Sequence, residues 1–391
     1  MNRRRIHILY EHGTDLRPFG SAYIRLLRPL THPALCGSLE VTSGLRYDGQ
    51  DVDAVIVDRL WRPDISPALA VSLVEDVRRA GGQLIYALDD DFLDLPAEGK
   101  DWRPTEEHRW VVQFFLRQAD GVMVPTQALR ERFLSFNPNI VVVPHALDER
   151  LLSGRGLPEG RSHSTPSGVL SLSKGRKVIG YVNVLLAYAL NIAHPAHAKR
   201  KVIGYMGTLT HDDDLMMILP ALRTVWQRHR EEIEFQMVGV VGRADTLRAL
   251  KGLPVRTVRF RPKQSEYPSF MSWFSSHLRW DIAISPLEDT PFNRCKSDIK
   301  FLDYSAIGAA GIYSQAPAYE SSVRHLETGW LAENDVGAWV EALEALLSDD
   351  CLRTQMAQNA TRYLYAERIL ACCAHNWLEA FENLLDSRYS A

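Results

Sequence analysis

The sequence predicts an α/β protein built from two doubly wound, Rossmann-like domains. Three observations carry this. Short apolar runs alternate with helical patterns through both halves, each half opens on a strand, a glycine-containing loop and a helix, and 391 residues is the length of about two domains. Strands alternating with helices imply parallel sheets, and such sheets bind ligands beyond the carboxyl ends of their strands.

In the first half, Ile6 to Tyr10 reads as a buried strand. It runs through Glu11-His12-Gly13-Thr14 and Pro18-Phe19-Gly20-Ser21 into the helical pattern AYIRLLRPL. The glycine spacing is not GxGxxG, so no dinucleotide fingerprint is present. Ala54 to Val57 is a second strand, and Ser66 to Ala80 a helix with Pro67 just inside its start and Gly81-Gly82 just past its end. Leu84 to Leu88 is a third strand, ending at Asp89-Asp90-Asp91. Val111 to Gln118 is helical, Gly121 to Val124 is a strand, and Thr126 caps the helix QALRERFLSF. Ile140 to Val143 is the last strand, ending at Pro144-His145. His12, Gly13, the three aspartates and His145 therefore fall at strand ends. Adjacent acids there can hold a divalent cation, bind sugar hydroxyls, or cap a turn. The reading taken is a substrate-facing role for at least one, without a metal. His7 and His32 read as packing or surface residues.

Bulk properties exclude several classes. Apolar residues are 46% and charged residues 24%, an ordinary globular composition, and a net charge of −3 gives no reason to expect nucleic acid as a partner. The cysteines Cys36, Cys295, Cys351, Cys372 and Cys373 form no CxxC pair and no zinc spacing, so a reduced, cytoplasmic protein is expected. The basic N-terminus has too short an apolar run for a signal peptide, and no segment reaches the roughly 20 apolar residues of a membrane span.

The middle of the chain has a different texture. Gly154 to Gly175 is rich in Ser, Gly and Pro and reads as a linker. Arg176-Lys177-Val178-Ile179-Gly180-Tyr181 then recurs unchanged as Arg200-Lys201-Val202-Ile203-Gly204-Tyr205. A short duplication or insertion at a domain junction explains this, with the second copy as the working strand. The alternative is that Val182 to Ile192 docks on a membrane or partner.

In the second half, Val202 to Tyr205 is a strand, and Gly204 to Gly207-Thr208 reads as a tight glycine turn where backbone N–H groups could approach a phosphate. Asp212-Asp213-Asp214 opens a long helix. Glu234 to Val238, Arg256 to Phe260, Asp281 to Ser285 and Ala310 to Ser314 are further strands, and the chain is largely helical from Val336.

The chemistry is expected to concentrate in Pro286 to Gly308, PLEDTPFNRCKSDIKFLDYSAIG. The helix is expected to begin near Lys296 or Ser297, which would put Lys296, Lys300 and Asp303 on one face. Cations in a first turn oppose the helix dipole unless an anion joins them. One reading is a phosphate-plus-ribose site; the other is a solvated helix face with an ordinary Lys/Asp pair. The position after a late strand of a second α/β domain favours the anion site.

Three segments together resemble a GT-B glycosyltransferase, more narrowly the retaining group 1 or family 4 enzymes. They are ADGVMVPTQALRERF with IVVVPHALDERL, KVIGYMGTLTHDDDLMMILPAL, and KSDIKFLDYSAIGAAGIYS with ETGWLAEND. The resemblance covers the chain apart from roughly residues 151 to 199. It implies two Rossmann-like domains with an interdomain cleft: residues 1–150 on the acceptor side, a junction at 151–199, a nucleotide-sugar domain at 200–371, and a final helix within 372–391 packing back toward the first domain. It further implies transfer of a sugar from a nucleotide diphosphate to an acceptor hydroxyl, with retention and no required cofactor. The acceptor would be a glycan or lipid-linked molecule, the protein peripheral at the membrane's inner face. The Asn before Lys-Ser-x-x-Lys is similar to a branch linked to bacterial surface polysaccharide synthesis.

Residue by residue, the resemblance matches Asp303 to the family's ribose-binding acid and puts Cys295 where the family's first acid stands. Lys296 and Lys300 would supply charge to the diphosphate, with Gly207, Thr208, Asn293 and Ser297 also on the donor. Asp90 would act with them, and His12, Gly13, Asp89, Asp91 and His145 would face the sugar or acceptor. Two competing expectations are a non-catalytic nucleotide-sugar-binding protein and a two-domain nucleotide-sugar epimerase.

Overall fold

The computed structural model describes residues 3–95, 104–152, 200–207, 211–239 and 244–386. The first copy of the repeat, the junction segment and Thr208 lie outside the described residues.

Two parallel six-stranded sheets form the frame. The first contains β1 (Arg4–Leu9), β2 (Leu39–Gly44), β3 (Ala54–Asp58), β4 (Gln83–Ala87), β5 (Gly121–Val124) and β6 (Ile140–Val142), in the order β2-β1-β3-β4-β5-β6. The second contains β7 (Lys201–Gly207), β8 (Ile233–Gly239), β9 (Val255–Val258), β10 (Ile282–Ser285), β11 (Ala310–Ser314) and β12 (Trp330–Ala332), in the order β12-β11-β10-β7-β8-β9. Every pairing is parallel. Central strands such as AVIVD are buried along their whole length because helices cover both faces.

Register decides what meets at the strand ends. Leu9 of β1 lies beside Val57, and Asp58 of β3 beside Ala87. The residues following β1, β3 and β4 therefore emerge together.

The structure corrects several local expectations. β2 was not anticipated: it is an edge strand, largely exposed, and its LEVTSG sequence lacks an apolar run. The expected glycine turn at Gly204 is part of β7, which runs on to Gly207. Gly204 is small for another reason, since a Cβ there would lie 1.8 Å from Cδ2 of the buried Trp280 indole. The helix expected to begin near Lys296 is Ile299–Ala306, preceded by a separate turn of helix at Pro291–Arg294. Lys296 thus lies between the two and does not share a helix face with Lys300. The helix expected from Val111 begins at Glu106, capped by Thr105.

The first helical run is continuous from Gly20–Ala22 through Arg28–Leu30, with Tyr23–Leu27 wound as a π-helix. Such widened turns often accompany functional sites. The last helix, Leu370–Asp386, lies on the first domain. Trp377, Phe381, Leu384 and Leu385 pack with Ile6, Ile8, Ile56 and Ile85, each fully buried large side chain contributing about 1.5–3 kcal/mol. The Trp377 indole N–H donates to the Arg25 carbonyl at 2.7 Å. The chain re-enters the first domain beside Leu147, whose N–H donates to Arg368 O and whose carbonyl accepts from Leu370 N, both at 2.9 Å. Arg368 itself donates to Asp298 and to the His145 carbonyl.

No helix among the described residues is long and apolar enough to cross a membrane.

Candidate active site in the interdomain cleft

A cavity of about 230 Å³ lies between the two sheets. From the first domain it is lined by Gly20, Ser21, Ile24, Asp89, Asp90 and His145. From the second it is lined by His211, Leu287, Lys296, Ser297, Ile299, Lys300 and Tyr319.

The first wall stands on a buried ionic network. Glu11, Asp58 and Asp89 come from the ends of three neighbouring strands and share two guanidiniums. Arg25, carried by the π-helical turn, donates to Asp58, and its Nε lies 3.5 Å from Asp89 Oδ2. Arg59 Nε lies 3.0 Å from Glu11 Oε2 and 3.6 Å from Asp89 Oδ1. One Arg59 nitrogen donates to Ser21 Oγ at 3.1 Å, and the guanidinium lies 4.6 Å from the centroid of the Phe92 ring. Arg59 and Trp61 adopt left-handed backbone conformations, φ 51° and 61°, which cost about 1–3 kcal/mol each for non-glycine residues.

Burial pushes the Glu11 carboxyl up to about 7 against the pull of Arg59, and burial raises Asp58 as well. Burial acts on Asp89 in the same sense, but there Arg25 and Arg59, with His145 and Lys296, prevail and hold it at about 2. Burial drives the His145 imidazole down to about 4 against the attraction of Asp89, so it is neutral at physiological pH.

The second wall is built differently. Lys300 sits in the first turn of Ile299–Ala306, where backbone N–H groups and the helix dipole already favour an anion. Lys300 Nζ and Asp303 Oδ1 are buried with no hydrogen-bond partner among the described residues. The ammonium stands 5.5 Å from the centroid of the Tyr205 ring. Burial lowers Lys300 to about 8 and raises Asp303 to about 7, with Lys300 opposing the latter. His211 Nδ1 lies 2.7 Å from Asp214 Oδ2, and burial followed by repulsion from Lys300 lowers the ring to about 4. One contact bridges the walls: Lys296 Nζ donates to Asp90 Oδ1 at 2.7 Å, with the ammonium 4.4 Å from the Phe292 ring centroid.

The residues expected to form the site divide accordingly. Asp89, Asp90, His145, Lys296, Ser297 and Lys300 line one cavity. Asp303 is buried and electrostatically coupled to Lys300, and is not among the lining residues. Gly207 ends β7 opposite Gly239. Asn293 is taken up as a brace, its amide donating to Asp214 Oδ1 at 3.3 Å and to the Glu288 carbonyl at 3.0 Å. His12, Gly13 and Asp91 do not line this cavity. His12 Nδ1 lies 2.8 Å from the Gly13 carbonyl, while Asp91 pairs with Arg132 at 2.7 Å and accepts from the Leu93 N–H at 3.0 Å. Cys295, in the place of the family's first acid, packs in the first domain's apolar core, and its carbonyl accepts from Thr126 Oγ1 at 3.1 Å. Burial pushes its thiol up to about 11.

Sequence reasoning missed Ser21, Ile24, His211 and Tyr319 in the lining, and Arg25 and Arg59 behind it. One signal was available: Asp58 closes an otherwise wholly apolar strand and is followed at once by Arg59. A charge pair at such a strand end faces the ligand side of the sheet.

The family profile for glycosyl transferases group 1 matches residues 200–349. That match lies within the second domain and spans the strands and helices from β7 to the helix Val336–Ser348. A comparison with the curated proteins finds no significant match. Among solved structures, the chain is similar to HepE from Anabaena, solved with UDP and glucose, with a TM-score of 0.58 and 15% identity over 97% of this chain and 100% of that one. It is similar to a glycosyltransferase from Rickettsia africae, with a TM-score of 0.58 and 12% identity over 98% and 99% of the two chains. TarM also matches, with a TM-score of 0.55 and 11% identity over 86% of this chain and only 56% of TarM. The fold is therefore GT-B, and the glycosyltransferase domain supplies the wall that carries Lys296 and Lys300.

Proposed function

We propose that the protein transfers a sugar from a nucleotide diphosphate donor to the hydroxyl of a glycan or lipid-linked acceptor, with retention at the anomeric carbon. The observation that carries this reading is the buried Lys300–Asp303 pair, left without hydrogen-bond partners in a helix whose first turn meets a cleft. Buried polar groups ordinarily have partners, and each one left unsatisfied costs about 1–3 kcal/mol. A diphosphate and a ribose would supply both.

In this scheme Lys300 and the helix N-terminus stabilise the charge that develops on the leaving diphosphate. Lys296 exchanges Asp90 for a phosphate oxygen, which frees Asp90 to act on the sugar. Asp303 accepts ribose hydroxyls, with the segment at Gly207 and Thr208 and the turn at Asn293 and Ser297 shaping the donor side. Asp89 and the neutral His145 face the transferred sugar or the acceptor, with His12, Gly13 and Asp91 behind them on the acceptor side. Closure of the cleft excludes water and limits donor hydrolysis. A bacterial surface polysaccharide setting, a cytoplasmic site of action and peripheral membrane attachment belong to the same reading.

HepE has been solved with UDP and with UDP-glucose, so uridine donors are the first to test. A thermal-shift screen against UDP, GDP, dTDP and ADP sugars should show one base class raising the melting temperature in proportion to the logarithm of ligand concentration. Transfer to an acceptor, with the product anomer read by NMR, then tests retention. Binding without turnover would favour the non-catalytic reading, an epimerised donor the epimerase, and no binding by any donor would sink the site assignment.

A further inference from the structure

We infer that Arg59 is a positioning residue of the cleft: it sets a buried guanidinium beside the Asp89 carboxylate and hydrogen-bonds Ser21, so that one side chain links two residues of the cavity lining. The inference rests on the proposed role of Asp89 toward the sugar or acceptor.

Arg59 does not line the cavity, yet it reaches two residues that do. Its Nε lies 3.6 Å from Asp89 Oδ1, and another of its nitrogens donates to Ser21 Oγ at 3.1 Å. These partners belong to different elements, the turn after β4 and the start of the first helical run. The remaining contacts fix Arg59 itself. Glu11 Oε2 is 3.0 Å away on one side, and the Phe92 ring closes one face of the guanidinium. The left-handed backbone at Arg59 fits this demand. An extended residue following Asp58 would continue the direction of β3, whereas φ of 51° turns the side chain in among three strand ends.

Asp89 is faced by charges from every neighbouring element. Arg25 approaches from the π-helical turn, Arg59 and Asp58 from the end of β3, Glu11 from the end of β1, and His145 from beyond β6. Lys296 reaches it electrostatically from the second domain. Lys296 is exposed to competition, because it is already bound to Asp90 and would move to a donor phosphate. His145 is neutral. The two guanidiniums are therefore the permanent cations, each shared with a second carboxylate, Arg25 with Asp58 and Arg59 with Glu11. Without Arg59, one of the two attractions that oppose burial is lost and the Asp89 carboxyl moves upward. A protonated Asp89 donates a hydrogen bond where a carboxylate would accept one from a sugar hydroxyl.

The test is a carbon-13 NMR titration of protein labelled at the aspartate carboxyl carbon, with Asp89 identified by the resonance lost in Asp89→Asn. In the wild type Asp89 should show no titration between pH 8 and pH 5. In Arg59→Gln its midpoint should enter that window, a rise of one pH unit or more. Arg59→Lys keeps a charge but cannot span Glu11 and Asp89, and should give a smaller rise; it serves as the second variant if Arg59→Gln does not fold. An Asp89 midpoint unchanged in both, or one already inside the window in the wild type, overturns the inference whether or not the protein transfers sugar. Turnover then separates positioning from bulk stability. Arg59→Gln should cost about tenfold in kcat/KM in the wild-type background and less than about twofold in Asp89→Asn. Equal losses in both backgrounds would show that Arg59 does not act through Asp89.

Discussion

The two walls of the cleft solve opposite problems. On the first, each charged group of the network has an opposite charge close by: Glu11 and Asp89 with Arg59, Asp58 and Asp89 with Arg25. On the second, Lys300 and Asp303 are just as buried and have no hydrogen-bond partners among the described residues. The same burial gives different outcomes. Asp89 is held at about 2, while Asp303, with only Lys300 opposing its burial, rises to about 7. A wall whose charges already stand in ion-pair contact can orient a substrate without rearranging. A wall whose charges are unsatisfied gains most when a ligand arrives.

The sharpest way to break this comparison is Lys300→Ala. If the second wall is completed by an anionic donor, kcat/KM should fall about 10²–10³-fold, as when one electrostatic donor of a transition state is lost. Stability without ligand should change little or improve, because a buried ammonium without hydrogen-bond partners among the described residues is removed. Steady-state kinetics and thermal melts together check this, and unchanged donor affinity and turnover would show that the site lies elsewhere.

Asp303→Asn probes the same wall through pH. The folded carboxyl, raised to about 7, binds its proton more tightly than the unfolded one. Its contribution to stability is therefore fully present below about pH 4 and is lost as pH rises through about 7. Removing the charge should raise stability more at pH 8 than at pH 5, by about 2–3 kcal/mol in denaturant melts. Lys300, lowered to about 8, acts in the opposite sense between about pH 8 and 10.5, so measurements stop at pH 8. Asp89→Asn should show no such gain at pH 8, because its carboxylate is already paired.

The smallest effect is expected at the contact joining the walls. Lys296 and Asp90 side chains are each 21% exposed. A double-mutant cycle with Lys296→Ala and Asp90→Ala should give about 1 kcal/mol of coupling without donor, weakening with added salt. With a saturating donor the coupling should fall toward zero as Lys296 changes partners. A coupling that persists would make the pair a permanent strut.

Much of this architecture was legible in the chain, for identifiable reasons. AVIV, LIYAL and GVMV announce themselves because central parallel strands must be apolar on both faces. β2 stayed hidden because an edge strand need not be. Lys296 and Lys300 were singled out by helical spacing; the structure brings both to one cavity, but not on a shared helix face. Cys295 packs in the first domain's core, and it lies in the sequence between the turn at Pro291–Arg294 and the helix at Ile299. That is a tertiary event with no local signature. The Glu11–Arg25–Asp58–Arg59–Asp89 network is the clearest omission. Its members are scattered along the sequence, and only the β1-β3-β4 order of the sheet brings them together.

The return of the last helix to the first domain makes the second domain, topologically, an insertion within the first. The chain leaves after Leu147 and re-enters at Ile369, where the two segments pair as neighbours. During synthesis the glycosyltransferase domain can close its own core as soon as β12 and the helices after it have emerged. The first domain must wait with Ile6, Ile8, Ile56 and Ile85 uncovered until Trp377 and Phe381 arrive. The half of the cleft that is made first is thus the last to be completed.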